Sequence, residues 1–429
     1  MTAKEIVKEK LSPLRQALAP VDGLYEMFEQ CFLNTLETTV RCQKPGDTFV
    51  ITGDIEAMWL RDSTAQVLHY IRFAGEEAVA QVIEGLIARQ AECILIDPYA
   101  NAFNAEDSGR RWTDDLPAHS GWVWERKYEI DSLCYPLMLA HKYKEATGRT
   151  AFLTERFHRA LSAILTVLRT EQDHEKSPYY FIRENCPAQD TLSHGGRGAP
   201  LARTGMTFSG FRPSDDACVY GYLIPSNLFA HRAMDYAAEF AALLGDEALR
   251  REALSLKEEI GEGLSRYACA EAPGIGQVYA YEVDGLGNRV MMDDANVPSL
   301  LSLPYLDVCA PEDPLYKRTR AFVLSKGNPY YYEGRFARGI GSPHTPEGYV
   351  WPIALCMQAM TSTDDAEVAR LLSALLSTHA GTGFMHESFD PDDPTKFTRS
   401  WFAWANSLFG ELIYRLYEQG RLPAVLGMM

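Results

Sequence analysis

The chain has 429 residues, of which 46% are hydrophobic and 23% are charged, and this balance is typical of a globular protein with a large core rather than of a disordered chain. Its formal net charge of −17 repels phosphate backbones and anionic lipid surfaces, so we expect neither nucleic acid nor a membrane as a partner. Aromatic residues make up 11% of the chain, with 22 Tyr and 7 Trp, which favours a neutral polar ligand.

The N-terminal segment 1–20 is charged and amphipathic, and it lacks the apolar run and cleavage site of a secretory signal. No window of about 18 apolar residues is present to span a membrane. The cysteines are odd in number and never spaced as CxxC, which favours reduced thiols over disulfides or a Cys metal site. We therefore expect a cytoplasmic protein. The nine cysteines are Cys31, Cys42, Cys93, Cys134, Cys186, Cys218, Cys269, Cys309 and Cys356.

Apolar residues recur every three to four positions through most of the chain, which indicates an all-α fold. Strand-like pieces at 48–52, 179–183 and 278–282 are short and isolated, so no continuous sheet is expected. The predicted helices are a short one at 2–18 and others at 23–40, 63–74, 78–93, 128–146, 151–171, 222–241, 245–266, 313–325, 349–361, 365–378 and 401–418.

These helices are joined alternately by short turns and by long loops rich in Gly, Trp and Asp. If the helices alternate between an inner and an outer ring, all the long loops meet at one end and form a funnel. This arrangement is the (α/α)6 barrel, a toroid of six helical hairpins. A helical solenoid is the alternative, but no sequence repeat is visible. No linker divides the chain, so we expect a single domain, 1–429, with its core at roughly 20–420.

The tryptophans are concentrated in or beside polar loops. Indole rings stack on the C–H face of a sugar, and Asp, Arg and His side chains nearby bond its hydroxyl groups. The concentration therefore favours a carbohydrate ligand; the alternative is that the indoles fasten long loops to helix ends. The seven are Trp59, Trp112, Trp122, Trp124, Trp351, Trp401 and Trp404.

The first polar cluster, GDIEAMWLRDS at 53–63, follows a strand-like piece and opens a helix. Arg61 and Asp62 suit vicinal hydroxyl groups, because a guanidinium donates two parallel hydrogen bonds and a carboxylate accepts two. Asp62 equally suits the N-cap of the helix.

The second cluster runs from 194 to 218 and contains RPSDD at 212–216. Asp215 and Asp216, beside Arg212, provide the groups for one acid with a raised pKa and one fixed ion partner. The alternative is that Ser214 and Asp215 cap the following helix.

The third cluster, GTGFMHESFD at 381–390, is followed by Arg399 and Trp401. Glu387 lies far along the chain from Asp215 and can face it across a funnel. Hydrolysis of a glycosidic bond needs such a pair, an acid for the leaving oxygen and a base or nucleophile on the other face. Competing loop carboxylates are Glu347, Asp114, Asp115, Asp293 and Asp294.

Other chemistries lack their motifs in this chain. There is no HExxH, HxH or calcium-loop pattern, and no GxSxG, GxxxxGK[ST] or GxGxxG after a strand. We therefore expect neither a metal site nor a cofactor, and nothing in the sequence indicates an obligate protein partner.

Six segments together resemble glycoside hydrolase family 125, the metal-independent exo-α-1,6-mannosidases, over roughly residues 20–420. The resemblance implies an (α/α)6 barrel and removal of non-reducing terminal α-1,6-linked mannose from an oligosaccharide, with inversion and without a metal ion. The segments are FVITGDIEAMWLRDS, GFRPSDDACVYGYLIPSN, MMDDANVPSLLSLPY, GIGSPHTPEGYVWPIAL, GTGFMHESFD and FTRSWFAWANSLFGEL.

Carried onto this chain, the resemblance implies that the general acid is Asp215 or Asp216, of which we favour Asp215, and that the general base is Glu387. The family's inverting scheme leaves space between the two carboxyl groups for a water molecule. The candidates for the sugar pocket are Asp54, Trp59, Arg61, Asp62, Arg212, His386, Arg399 and Trp401.

Two alternatives stay open at the level of sequence. Another toroid enzyme, such as an exo-glucosidase or a polysaccharide lyase, fits the same fold, although a lyase favours a basic cleft and the chain carries a charge of −17. A catalytically inactive carbohydrate-binding protein would retain the same aromatic and charged groups without turnover.

Overall fold

The structure is a computed structural model that describes residues 1–44 and 46–429, with side chains for all of these except 42–44. The thiol of Cys42, which we expected to be reduced, therefore lies outside the described residues. The other eight cysteines are free, and Cys31, Cys93, Cys134 and Cys356 are buried. Within the described chain, no helix has the length and apolar character needed to cross a membrane.

Helices make up nearly half of the described chain, and their periodicity agrees with the predicted all-α fold. The helices are Ala3–Leu11 (α1), Leu14–Leu18 (α2), Leu24–Asn34 (α3), Leu60–Val67 (α4), Glu77–Ile96 (α5), Ile130–Thr147 (α6), Glu155–Thr170 (α7), the one-turn Ser193–Gly196 (α8), Ile224–Leu243 (α9), Glu247–Tyr267 (α10), Pro314–Val323 (α11), Pro352–Met360 (α12), Asp365–Ser377 (α13), Ala403–Glu418 (α14) and Leu422–Leu426 (α15).

The strands are short and form five small antiparallel sheets within the described residues, β1–β2, β3–β4–β5, β6–β9–β10, β7–β8 and β11–β12. Their bounds are Val40–Lys44 (β1), Asp47–Val50 (β2), Met58–Trp59 (β3), Ala102–Phe103 (β4), Val123–Glu125 (β5), Tyr222–Leu223 (β6), Cys269–Ala272 (β7), Gly276–Tyr279 (β8), Glu282–Val283 (β9), Arg289–Val290 (β10), Tyr331–Glu333 (β11) and Arg338–Ile340 (β12).

Burial separates the helices into an inner and an outer ring. Every residue of α4 is buried, whereas α7 and α10 bury only one face, as expected for helices that cover a core. Around the inner ring, α14 packs against α4, α4 against α6, α6 against α9, and α12 against α14. The outer helices are α3, α5, α7, α10, α11 and α13.

The inner position between α9 and α12 is filled by the turn segment 299–309 rather than by a helix. Tyr305 of this segment donates to Glu411 of α14 at 2.9 Å, and Tyr135 of α6 donates to the carbonyl of Val297 at 2.9 Å. The outer helix α3 completes the sixth pair by packing against α14. The fold is therefore the expected (α/α)6 toroid.

Long and short connections alternate around the ring. Each long loop leads from an outer element to the start of an inner one, so the long loops share the end of the toroid where the inner helices begin. Helix N-termini carry partial positive charge, and this end therefore favours carboxylates. The long loops are 40–59, 97–129, 171–223, 268–298, 324–351 and 378–402, and the short turns include 148–154, 244–246, 310–313 and 361–364.

Three local expectations differ from the structure. The predicted helix at 2–18 is two helices, because Pro13 cannot donate the backbone hydrogen bond that a continuous helix needs. Helix α4 begins at Leu60 with Trp59 as its cap, so Asp62 lies in the first turn and is not the N-cap. Helix α9 begins at Ile224, so Asp215 does not cap it.

Candidate active site

A cavity opens at the loop end of the toroid, where the first turns of α4 and α14 meet the long loops. It contains six of the residues expected from the sequence: Trp59, Arg61, Asp62, Asp215, Glu387 and Arg399. The other lining residues are Thr52, Ile55, Pro213, Ser214, Asn296, His344, Trp351, Phe402 and Trp404.

Arg61 is the centre of a buried ion cluster at the cavity wall. Its side chain is 3% exposed and lies within ion-pair distance of four carboxyl groups. The N–O distances are 2.6 Å to Glu129, 3.2 Å to Asp215, 3.3 Å to Asp131 and 3.4 Å to Asp62. Arg61 therefore positions carboxylates at the cavity wall, and its expected role in binding the sugar stays a prediction.

One guanidinium cannot neutralise four carboxylates, so the cluster retains protons. Burial raises the pKa of Asp62 and that of Asp131 to about 6 each, although Arg61 acts to lower both. Burial also raises the pKa of Glu129 well above its usual range, against the same guanidinium. The partial positive charges at the starts of α4 and α6 favour the carboxylates that stay ionised.

Asp215 is the member of this cluster that reaches furthest into the cavity, with 23% of its side chain exposed. Its Oδ1 accepts from Arg61 at 3.2 Å and from Nδ2 of Asn101 at 3.1 Å. Burial acts to raise the pKa of Asp215, but the Arg61 charge and a hydrogen bond from Glu129 hold it well below its usual range. Asn101 also donates to Glu129 at 3.3 Å, so the two carboxyl groups share Arg61 and Asn101 as hydrogen-bond partners.

A tight backbone turn separates the roles of Asp215 and Asp216. The backbone N–H of Arg212 donates to the carbonyl of Asp216 at 2.8 Å, and Asp215 at the tip of the turn has a φ of 66°. A non-glycine residue in this left-handed region is strained by about 1–3 kcal/mol, and such strain is concentrated at functional sites. The turn directs Asp215 to Arg61 and Asp216, which is 1% exposed, to the opposite side.

Asp216 holds His344, which the sequence analysis did not single out. Nδ1 of His344 lies 2.9 Å from Oδ1 of Asp216, and the ring lines the cavity. Burial acts to lower the pKa of His344, but the hydrogen bond and charge of Asp216, with the charges of Asp215 and Glu387, raise it to about 9. We conclude that His344 is an imidazolium at neutral pH and that it shares the cavity with the two candidate catalytic carboxyl groups.

The raised pKa of His344 predicts a specific pH dependence of stability. The folded-state pKa of about 9 exceeds the unfolded value of about 6.5, so the stabilisation is complete below pH 6.5 and is lost as pH rises through 9. Because 35% of the side chain is exposed, we expect only about 1–2 kcal/mol after solvent screening. Urea unfolding at pH 6, 7.5 and 9 should show this loss in the wild type and a smaller one in His344→Asn.

The matched control is His194→Asn, at an exposed residue whose φ of 52° asparagine accepts readily. It should follow the wild-type pH profile. An unchanged pH dependence in His344→Asn would show that this imidazole is not the group responsible.

Glu387 enters the cavity from the loop before α14. The loop is tied to the helix by Met385, whose N–H donates to Asn406 at 2.8 Å, and by Phe402, whose N–H donates to the Met385 carbonyl at 2.8 Å. Nε of Arg399 lies 3.5 Å from Oε1 of Glu387. Glu387 is 8% exposed, so its carboxylate faces the cavity rather than bulk water.

Five of the expected residues do not line the cavity. Besides Asp216, they lie behind it or at its rim. His386 is buried, stacks on Phe397 and bonds the Arg399 carbonyl at 2.8 Å. Trp401 packs over Gly53, and the exposed Asp54 lies 3.6 Å from Arg399 at the rim.

Arg212 lies away from the cavity because it has another partner. Its Nε donates to Glu282 at 2.6 Å, and the second oxygen of Glu282 accepts from the backbone N–H groups of Val219 and Tyr220. Arg212 therefore fixes the loop that carries Asp215 instead of meeting a substrate.

The cavity offers polar groups and flat aromatic surface together. Oδ2 of Asp62 and Nε1 of Trp59 are buried and form no hydrogen bond to any described residue. Asn296 is fixed by two 2.9 Å hydrogen bonds to Asp294. The rings of Trp351, Phe402 and Trp404 complete the wall. Unsatisfied acceptors and donors beside indole rings match the hydroxyl groups and C–H faces of a sugar.

One group of described side chains has its potential metal-ligand atoms close together: His141, Glu145 and Glu239. They lie near the C-terminal ends of α6 and α9, at the opposite end of the toroid from the cavity. The ammonium of Lys144 already pairs with Glu239, so a cation occupies this position.

With the cavity described, comparison with known proteins can be interpreted. A family model described as metal-independent α-mannosidase (GH125) matches residues 22–414. The chain belongs to this family. The resemblance seen in the sequence is confirmed, and the protein is a glycoside hydrolase of the α-mannosidase type.

Individual relatives of this GH125 protein extend over its whole length. A solved Streptococcus pneumoniae structure, from a family described as metal-independent α-mannosidases and holding α-1,6-mannobiose in a non-productive complex, is 46% identical, with a TM-score of 0.93 and 99% of each chain covered. The meiotically up-regulated gene 157 protein of Schizosaccharomyces pombe is 40% identical over 96% of this chain and 86% of that protein. A bacterial glucoamylase with acarbose, 13% identical, has a TM-score of 0.55 over 94% of this chain and 56% of its own, which shows the fold alone.

Proposed function

We propose that this protein is an exo-acting α-1,6-mannosidase that removes a non-reducing terminal mannose with inversion, and that it works as a single catalytic domain over 1–429. The observation that carries the proposal is that Asp215 and Glu387, from distant loops, line one cavity. The ring behind this cavity is filled by the buried residues of α4, α6 and α14. A sugar chain therefore enters from the loop side, which suits removal of its terminal unit.

The proposed general acid is Asp215, which faces the cavity and shares hydrogen-bond partners with Glu129. We propose that the two carboxyl groups share one proton and assign its resting position to Glu129, since the pKa of Glu129 is raised and that of Asp215 is lowered. Transfer within the pair brings the proton to Asp215, which donates it to the departing glycosidic oxygen. Asp216 acts through His344 as a positioning residue.

The proposed general base is Glu387, which removes a proton from the water that attacks the anomeric carbon from the other face. Inverting enzymes hold their two carboxyl groups about 6.5–9.5 Å apart to admit this water. Arg399 at 3.5 Å keeps the Glu387 carboxylate oriented before the reaction. The cation at His344 lines the same cavity and interacts favourably with the charges of both groups, which limits their mutual repulsion.

Two observations support the proposed sugar and the proposed linkage. The Streptococcus pneumoniae relative was solved with α-1,6-mannobiose. Oδ2 of Asp62 and Nε1 of Trp59, which form no hydrogen bond to any described residue, suit the hydroxyl groups of the terminal mannose. The eight free cysteines support the further proposal that the enzyme works in the cytoplasm, where thiols stay reduced.

Proton NMR of the enzyme with α-1,6-mannobiose and EDTA tests the proposal. We expect β-mannose to appear first, at the same rate with and without EDTA, and the α-1,2- and α-1,3-linked disaccharides to be hydrolysed far more slowly. Early α-mannose would establish retention and contradict the roles given to Glu387 and water. Equal rates on all three linkages would contradict the proposed specificity.

A further inference from the structure

A strip of aromatic rings leads from the cavity to the protein surface. Trp59 on β3 lines the cavity and pairs across the sheet with Ala102 on β4. Trp124 on β5 packs against the small cluster formed by Ala57, Trp59 and Ala102. Trp124 therefore continues the aromatic surface that begins at Trp59.

The strip ends in Trp112, which packs on Trp124 with ring centroids 5.3 Å apart and planes at 85°. Trp112 is 54% exposed, and exposed large apolar side chains that continue an apolar surface commonly mark binding sites. An edge-to-face contact leaves at least one face of the Trp112 ring uncovered by Trp124. This face is available for stacking.

The loop that carries Trp112 is tied down on both sides. Nδ2 of Asn104 donates to the carbonyls of Arg110 and Gly121, both at 2.9 Å. Asp115 is 4% exposed and accepts two hydrogen bonds from Arg183, at 2.8 and 2.7 Å. A rigid exposed ring loses little conformational entropy when a ligand binds, so the position is preorganised.

We propose that Trp112 is a sugar-stacking platform on the leaving-group side, which binds a mannosyl unit of an α-1,6-linked oligosaccharide beyond the unit next to the scissile bond. This inference rests on the proposed function. Trp112 contacts Trp124, and Trp124 in turn packs against the cluster that contains Trp59, so we place the platform beyond the second sugar of a disaccharide. The preferred substrates are therefore oligosaccharides of three or more mannose units.

The test compares Trp112→Ala with the wild type on α-1,6-mannobiose, α-1,6-mannotriose and α-1,6-mannotetraose. We expect kcat/KM on the disaccharide to stay within about twofold, and kcat/KM on a longer substrate to fall by roughly three- to tenfold, mainly through KM, as for the loss of one aromatic contact. Trp112→Phe keeps a ring and should retain most of the preference for longer substrates.

The matched control is Leu286→Ala, at another exposed apolar residue (60%) outside the cavity lining. This variant should leave kcat/KM unchanged on all three substrates. Equal losses of kcat/KM on all three substrates in Trp112→Ala, or no loss on any of them, would contradict the role proposed for Trp112. Absence of wild-type activity on every α-1,6-mannoside would instead contradict the proposed function itself, so the two failures are distinguishable.

Discussion

Glu387→Gln should lower kcat on α-1,6-mannobiose by about a thousandfold, because an amide cannot take the proton of the attacking water and general base catalysis contributes about 10²–10⁴. Glutamine has nearly the same shape, so KM should change little. Steady-state kinetics with NMR detection of mannose gives both constants. The folded state should survive, since Glu387 lies at the cavity and its ion-pair partner Arg399 also has Asp54 nearby.

The matched control for this variant is Glu347→Gln. Glu347 is another loop glutamate that competed for the role in the sequence, but it is exposed and lies outside the cavity lining. Its replacement should leave kcat within about twofold, as is usual for surface substitutions. A large loss of kcat in Glu347→Gln, with activity kept in Glu387→Gln, would identify Glu347 as the general base instead.

Asp215→Asn should show a loss that depends on the leaving group. On α-1,6-mannobiose, whose sugar alkoxide leaves poorly, we expect kcat/KM to fall about a thousandfold. On an aryl α-mannoside with a nitrophenolate leaving group the loss should be at least tenfold smaller, because this departure needs little protonation. The ratio of the two losses measures acid catalysis specifically, since a misfolded or misaligned site loses both activities together.

Asp216→Asn is the control that separates the neighbouring carboxyl groups. Asp216 contacts His344 and not the cavity, so its loss should lower both activities by a similar factor, about tenfold for a weakened positioning contact. A leaving-group dependence in Asp216→Asn, with none in Asp215→Asn, would reverse the assignment of the acid.

The fold was largely predictable because most helices have a local signal. Apolar periodicity located the long helices, although the predicted segments 23–40 and 63–74 continue beyond α3 and α4 into the π-helix Thr35–Thr39 and the 3-10 helix Leu68–Phe73. The short helices α8 and α15 were not predicted, and the alternation of long and short connections indicated the toroid. The inner segment 299–309 was beyond that method, because it is a turn segment whose position is determined by tertiary hydrogen bonds of Tyr135 and Tyr305. The start of α4 was misplaced by three residues because Asp62 resembles an N-cap.

Several residues of the site were predictable from the sequence, but the contacts between them were not. Motifs identified Asp215, Glu387 and Arg399, all of which line the cavity. No local pattern reveals that Arg61 is committed to Glu129 and Asp131, which are distant in sequence. The sequence did contain a pattern that could have pointed to these residues. Glu129 and Asp131 are two acidic residues at the start of α6, and His344 is a histidine in the loop that leads to Trp351.

Ring closure has a consequence for the synthesis of this protein. Helix α14 packs against both α3 and α4, and Asn406 bonds Asn34 at 3.2 Å, so segments 372 residues apart in the sequence form one seam. A ribosome must therefore synthesise the chain through α14 before the seam can form. Until then the apolar faces of α3 and α4 lack their partner, because long-range contacts are completed last. Glu387 and Trp404 belong to the same late-emerging portion, so no nascent fragment that lacks it carries a complete set of cavity residues.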